Sequence, residues 1–312
     1  MLFRSVCREA GVAPADVDVI GSHGQTIWHE PPAAGRRGAT LQLGCPATIA
    51  ERTGIAVVSD FRTRDVAAGG EGAPLVPWVD RFLFADKEKR RVLQNIGGVA
   101  NLTWVPRRGE TAPLIAFDTG PGNTLINSAV EIATDGKETY DEDGRRAAKG
   151  KVDKQLLAEL LADPYYARKP PKSTGRELFG KPYVENLVKR YPGISKDWDS
   201  LIATMTTLTA QTIANAIKKW IVPHGVDELV ITGGGARNPT LVGLIQAKLE
   251  DIQVSGGEVL GVDPDAKEAV AFAALAWAHM NGIPANVPEA TGAQGLRVLG
   301  SYTPGRTENS RT

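Results

Sequence analysis

The sequence predicts an α/β chain divided into two domains. Short apolar, β-branched runs alternate with stretches of helical periodicity. Several of those runs stop at glycine-rich turns. A chain of 312 residues, 42% of them hydrophobic, also exceeds what one core usually holds.

Residues 17–20 predict a strand ending at Gly21, and residues 55–58 a second ending at Asp60. Residues 92–104 predict two strands around the Gly97-Gly98 turn. Residues 114–117 predict another before Asp118-Thr119-Gly120, and residues 227–232 one more before Gly233-Gly234-Gly235. Helices are expected at 46–52, 76–84, 124–133 and 267–280. The clearest spans 198–221, where Leu201, Met205, Leu208, Ile213, Ile217 and Trp220 recur at helical spacing and Pro223 stops it. Residues 135–151 and 165–180 read as surface loops, and the tail after Ser301 as frayed.

Composition narrows the partners. Lys and Arg number 36, Asp and Glu 36, so nothing electrostatic favours nucleic acid or an anionic membrane. Two cysteines, Cys7 and Cys45, make no disulfide framework, and a reducing compartment is expected. His23, His29, His224 and His279 show no zinc-ligand spacing. No apolar run is long enough to cross a bilayer, and Arg4, Arg8 and Glu9 come too early for a signal peptide. A cytoplasmic location is expected.

Three segments bring a strand to a turn of small residues. In Phe117-Asp118-Thr119-Gly120-Pro121-Gly122-Asn123-Thr124, glycines allow close approach, successive N–H groups can line a phosphate, and a helix follows. The aspartate can hold a metal-bound water. A tight capped turn explains the segment equally well. In Thr232 to Pro239, three glycines after a buried strand suit a nucleotide base or ribose better than a merely crowded loop. Residues 59–70 carry Asp60, Arg62, Arg64, Asp65, Gly69 and Gly70 at a strand end. One acid could be a general base and the other an arginine's ion-pair partner, the plainer role suiting Asp60. No Walker or protein-kinase pattern occurs, and separated glycine segments suggest a nucleotide held between two domains.

Gly21-Ser22-His23-Gly24-Gln25-Thr26, the 60–70 segment, Gln94-Asn95-Ile96-Gly97-Gly98-Val99-Ala100-Asn101, and the 117–124 and 232–239 segments together resemble the anhydro-N-acetylmuramic acid kinase family. Levoglucosan kinase looks like a close relative. The resemblance runs from Asp18 to Gly305. It implies a hexokinase-like, actin-like fold with ATP in an interdomain cleft. The expected division is an N-terminal, sugar-side domain over 1–114 and a nucleotide-binding domain over 115–312, the last residues being able to return to the first. The resemblance also implies hydrolysis of a 1,6-anhydro bridge with phosphorylation of the freed 6-oxygen, giving N-acetylmuramic acid 6-phosphate.

Carried over residue by residue, Asp65 is the base. Ser22, His23, Thr26, Arg62 and Glu268 face the sugar. Without the resemblance, His23 reads as a hydrogen-bonded turn histidine and Glu268 as a carboxylate favoured at a helix start. Asp118, Thr119, Gly120, Gly122 and Asn123 hold the outer phosphates, and Gly233, Gly234, Gly235 and Asn238 the adenosine. Magnesium bridges phosphate oxygens, with Asp118 reaching it through water. A homodimer is implied. Family members open with a strand and a G-x-M-S-G-T-S-x-D-G-type loop, the first phosphate clamp. No such segment occurs here, so the first strands of the N-terminal domain are expected to be missing and activity to be weak or absent. The choice lies between a piece of an active kinase and a shortened, non-catalytic binding module. Retention of Asp65, Asp118 and the triple glycine favours the former.

Overall fold

The computed structural model describes residues 2–30, 32, 36, 38–175, 177–262 and 266–306. Its strands are β1 (Val19–Ser22), β2 (Gln25–Glu30), β3 (Ala39–Leu43), β4 (Ala56–Ser59), β5 (Arg91–Ile96), β6 (Val99–Val105), β7 (Ile115–Pro121), β8 (Glu228–Thr232), β9 (Gln253–Gly256) and β10 (Ser301–Thr303). The chain forms two compact units, residues 1–83 with 266–312 and residues 84–265.

The first unit is built on the sheet β1-β4-β10. β1 runs parallel to β4 with Ser22 opposite Ser59, and β10 runs antiparallel to β4. The stretch 301–303, expected to fray, is therefore a strand. Backbone pairing to β4 holds it, and no local sequence signal announces that. Val58, Phe61, Leu75, Val79, Phe272, Leu275 and Leu299 make the core. Helix Lys267–Met280 packs closely on β1, and a Cβ at Gly21 would lie 2.2 Å from the Phe272 carbonyl oxygen. β2 and β3 form a separate hairpin, unforeseen in the sequence, pairing Thr26 with Gln42.

The second unit holds a five-stranded sheet ordered β7-β6-β5-β8-β9. β5, β6 and β7 are antiparallel neighbours, while β8 runs parallel to both β5 and β9. This pairing moves the boundary from the expected 114 to 84: β5 and β6 share their backbone hydrogen bonds with β7 and β8. Val92, Ile96, Leu102, Trp104, Phe117, Leu229 and Ile231 pack on Ala210 and Ile213 of helix Trp198–Ala216 and on Leu241 and Ile245 of helix Pro239–Lys248.

Helix Trp198–Ala216 begins where the Asp197 side chain accepts the Ser200 N–H. Thr204, Thr206 and Thr207 return their hydroxyls to the preceding turn, Thr206 Oγ1 donating to Ile202 O at 2.9 Å, while Thr209 Oγ1 donates to Gly122 O at 3.0 Å, which satisfies polar groups in a packed interior. It then passes into a π-helical turn, Ile217–Ile221. The 135–151 stretch, expected to be a loop, contains a short helix, Arg145–Lys149. Asp141 accepts the Arg146 and Ala147 N–H groups there and fixes it.

Candidate functional site

In the first unit, parallel β1 and β4 end side by side, a usual ligand address in α/β sheets. β1 delivers Ser22 and His23, and β4 delivers Asp60 and Arg62. Arg62 Nε donates to His23 Nε2 at 3.0 Å, and Arg62 Nη1 donates to Gly72 O at 2.7 Å. Arginine has only donors, so His23 Nε2 is the acceptor. Its proton therefore sits on Nδ1, which donates to Gly24 O at 2.8 Å. The His23 ring lies 4.5 Å from the Phe272 ring, centroid to centroid. Burial first, then the Arg62 charge, lowers the His23 pKa, while Glu268 acts in the opposite sense. Glu268 also supports the charge of Arg62, whose pKa burial lowers. Glu268 sits exposed in the first turn of helix Lys267–Met280. His23, Arg62 and Glu268 thus form one electrostatic cluster. Thr26 lies on the hairpin, its hydroxyl accepting from Gln42 Nε2 at 3.4 Å.

A pH prediction follows from the neutral imidazole. The folded pKa lies below the unfolded value of about 6.5, so the unfolded chain binds more protons between the two. The contribution of His23 to stability is complete above about pH 6.5 and is lost as pH falls through that value. An NMR titration should place His23 below about 6.5. A midpoint above it contradicts the assigned tautomer.

Asp65, expected to be the base, is placed differently. It lies in the short helix Thr63–Ala67 with 0% of its surface exposed. Its Oδ2 accepts the Gly72 N–H at 2.9 Å. Its Oδ1 accepts Asn286 Nδ2 at 3.0 Å and Thr291 Oγ1 at 2.8 Å. A base needs an oxygen facing the water it deprotonates, and both Asp65 oxygens are sealed among donors. The residue ties the 62–72 loop to the 286–291 segment. Sequence reasoning missed Asn286 and Thr291, and nothing near them in sequence marks them. Asp60, expected in an arginine ion pair, instead accepts the Thr63 hydroxyl at 2.5 Å. It holds φ at 54°, a strained value for a residue with a side chain.

In the second unit, β7 carries Asp118, Thr119 and Gly120, and Gly122 and Asn123 lead into helix Thr124–Ala133. Asp118 is clamped on three sides. Its N–H donates to Lys172 O at 3.0 Å, its carbonyl accepts Tyr165 OH at 2.8 Å, and its Oδ2 accepts the Thr174 N–H at 2.9 Å. Lys172, only 5% exposed, donates to the Tyr165 and Tyr166 carbonyls. Burial, then the charges of Arg168 and Lys219, lower its pKa to about 8.

The expected N–H cradle at this turn is already occupied. The N–H groups of Gly122 and Thr124 donate to Gly98 O at 2.9 and 3.2 Å, and that of Asn123 to Gly97 O at 2.8 Å. Asn123 Nδ2 donates to Ile96 O, and Thr119 Oγ1 to Ala100 O. The β5–β6 turn thus caps the helix, and these amides are turned away from a phosphate. Asn238 Oδ1 accepts the Leu241 N–H at 2.9 Å and caps the next helix. Gly233, at φ 79°, packs so closely that a Cβ would lie 2.5 Å from Asn95 Oδ1, and one on Gly235 would lie 2.4 Å from Ile96 Cγ2. Gly234 keeps open space, its nearest neighbour being Asn123 Nδ2 at 3.6 Å.

Among the described residues no cluster of three or more His, Cys, Asp or Glu could hold a metal. No helix among them is long and apolar enough to cross a membrane.

A family profile described as anhydro-N-acetylmuramic acid kinase matches residues 2–305. An anhydro-N-acetylmuramic acid kinase of Caldanaerobacter subterraneus subsp. tengcongensis is 50% identical over 301 residues, covering 95% of this chain and 76% of the relative. Another, of Streptomyces coelicolor, is 48% identical over 288 residues, covering 92% and 71%. Among solved structures, the activator of the 2-hydroxyisocaproyl-CoA dehydratase from Clostridium difficile with bound ADPNP is 14% identical at TM-score 0.42, covering 72% of this chain and 68% of that one.

Proposed function

The chain belongs to the anhydro-N-acetylmuramic acid kinase family, and on that premise we propose that it uses ATP to convert anhydro-N-acetylmuramic acid into N-acetylmuramic acid 6-phosphate. The match across residues 2–305 carries this reading. In the balanced reaction, water bonds to the anomeric carbon as the C1–O6 bond breaks. The freed O6 bonds to the terminal phosphorus as ADP leaves, and the proton of the water passes to a carboxylate.

His23, Arg62 and Glu268, with Ser22 and Thr26, hold the sugar. The Arg62 charge suits the substrate's own carboxylate. We assign the base to Asp118 in place of Asp65. Of the candidate acids, Asp118 alone stands on the turn proposed for phosphates, and it is half-buried rather than sealed. Its backbone is gripped by Lys172 and Tyr165, so its carboxylate is preorganised. Gly233, Gly234 and Gly235 serve the adenosine, Asn238 shaping that turn from its cap position. Magnesium, when bound with the nucleotide near Asp118, neutralises phosphate charge as phosphoryl transfer requires. We place the protein in the cytoplasm as a homodimer. Free Cys7 and Cys45 support the first. The partly exposed ring stack of Trp78, Phe82 and Trp277 supports a protein contact.

The test is an assay of the purified chain, alone and preceded by a family-type N-terminal segment with the first phosphate loop, with ATP, magnesium and the anhydro sugar, in water enriched in heavy oxygen. Sugar-dependent ADP release should accompany a product heavier by one phosphoryl group and one water, with the label at the anomeric carbon. ADP release without sugar, or a phosphorylated product that keeps its anhydro bridge, overturns the reading.

A further inference from the structure

The hairpin β2–β3 of the first unit is built inside out. A half-covered antiparallel ribbon normally turns its apolar face to the body of the protein and its polar face to water. Here Trp28 and Leu41, which pair, and Leu43 on the same face are 58%, 51% and 58% exposed. On the other face, the register pairs Thr26 with Gln42 and His29 with Thr40. Thr26, Thr40 and Gln42 are half-buried. A register shift between Thr26 and Trp28 brings Thr26 and His29 onto that one face. Bulges of this kind commonly re-aim a side chain beside a functional site. The polar face belongs to the neighbourhood of His23 and Arg62. β3 packs on the short helix Thr63–Ala67 that follows Arg62. Burial first, then the Arg62 charge, lowers the His29 pKa. A Cβ at Gly44, just past β3, would lie 3.7 Å from Ser22 Oγ.

The polar face is wired to present one atom. Gln42 Nε2 donates to Thr40 Oγ1 at 2.7 Å and to Thr26 Oγ1 at 3.4 Å, so both of its hydrogens are engaged. The Thr40 hydroxyl keeps its own hydrogen for His29 Nδ1, 3.1 Å away. Gln42 Oε1 receives no hydrogen bond among the described residues. An amide held at its nitrogen by two hydroxyls is a preorganised acceptor. Half-buried and unmatched, such an oxygen is costly unless a ligand brings it a donor.

We propose that Gln42 is a specificity residue of the sugar site, its Oε1 accepting the N–H of the substrate's acetamido group while Thr26 and Thr40 position it. This rests on the sugar proposed above. The chemistry divides the sugar's substituents between two side chains. Arg62 is a cation with donors only and suits the carboxylate. Gln42 Oε1 is an acceptor only, so it disfavours a carboxylate oxygen and suits a neutral N–H. A site built on such a bond rejects the analogue that lacks the donor, because its acceptor is then left unpaired.

The test compares sugar affinities of the full chain by calorimetry. The two sugars are anhydro-N-acetylmuramic acid and its analogue with hydrogen in place of the acetamido group, which keeps the carboxylate. The wild type should bind the amino sugar roughly tenfold more tightly than the analogue. Gln42→Leu should weaken the amino sugar by roughly tenfold and change the analogue by no more than about twofold, so that the discrimination collapses. Thr40→Val keeps Gln42 and loosens its amide, so it should narrow the same ratio by a smaller factor. It takes the place of Gln42→Leu if that variant folds poorly. An equal loss for both sugars overturns the proposal, since a merely structural glutamine would weaken them alike. Wild-type discrimination in Gln42→Leu overturns it too. A wild-type chain that binds neither sugar removes the proposed substrate, and the Gln42 subsite falls with it. The expected discrimination without sugar-dependent ADP release removes the kinase reading alone and leaves the subsite standing.

Discussion

Asp118→Asn should lower kcat by about two to four orders of magnitude, the usual worth of a positioned general base. Nucleotide affinity should stay within a few-fold of the wild type. Asparagine keeps an oxygen for the Thr174 N–H and leaves the main-chain bonds to Lys172 and Tyr165 untouched. It removes the ability to take a proton, together with the negative charge that acts on Lys172 and Tyr165. The loss should therefore fall on kcat and kcat/KM together, with the sugar KM little changed. Single-turnover phosphorylation is the measurement to make. Should Asp118→Asn turn over normally while a folded Asp65→Asn does not, the base is Asp65 after all, and its buried setting must open during the reaction.

The second large effect is on folding. Asp65→Ala should destabilise the chain by about 3–5 kcal/mol, the range for removing one partner from a buried charged network. Three donors lose their acceptor at once: the Gly72 N–H, Asn286 Nδ2 and the Thr291 hydroxyl. Each is buried or nearly so, and water cannot readily replace the carboxylate. Denaturant unfolding should show the loss, and most of it should be shared with Asn286→Ala in a double-mutant cycle. A cost below about 1 kcal/mol would mean that these bonds do not hold the loop.

Asp65 and Asp118 also show how far a sequence can be read. Both stand out in the sequence as candidate functional aspartates, in segments that follow a predicted strand and carry small residues. Their roles were not legible. Asp65 looks available in the sequence because Arg62, Thr63 and Arg64 precede it, yet its Oδ1 is claimed by residues 221 and 226 positions away. The clamp on Asp118 comes from Thr174, 56 positions on, inside a stretch that reads only as an irregular loop.

What the sequence determined by itself was whatever depends on near neighbours. Helices Thr124–Ala133 and Lys267–Met280 lie where the sequence predicts them, and the strands before Gly21, Gly97 and Gly233 fall within a residue or two. A turn or a helix face is set by residues three or four apart, so its signal is written in order along the chain. Only the tertiary structure decided the return of β10 to β4, the capping of one glycine turn by another, and the joining of β5 to β8 and of β6 to β7 in one sheet. Each of these is a backbone pairing between distant segments. The register of such a pairing is set by the packed faces of the whole sheet, and no stretch of one strand records it.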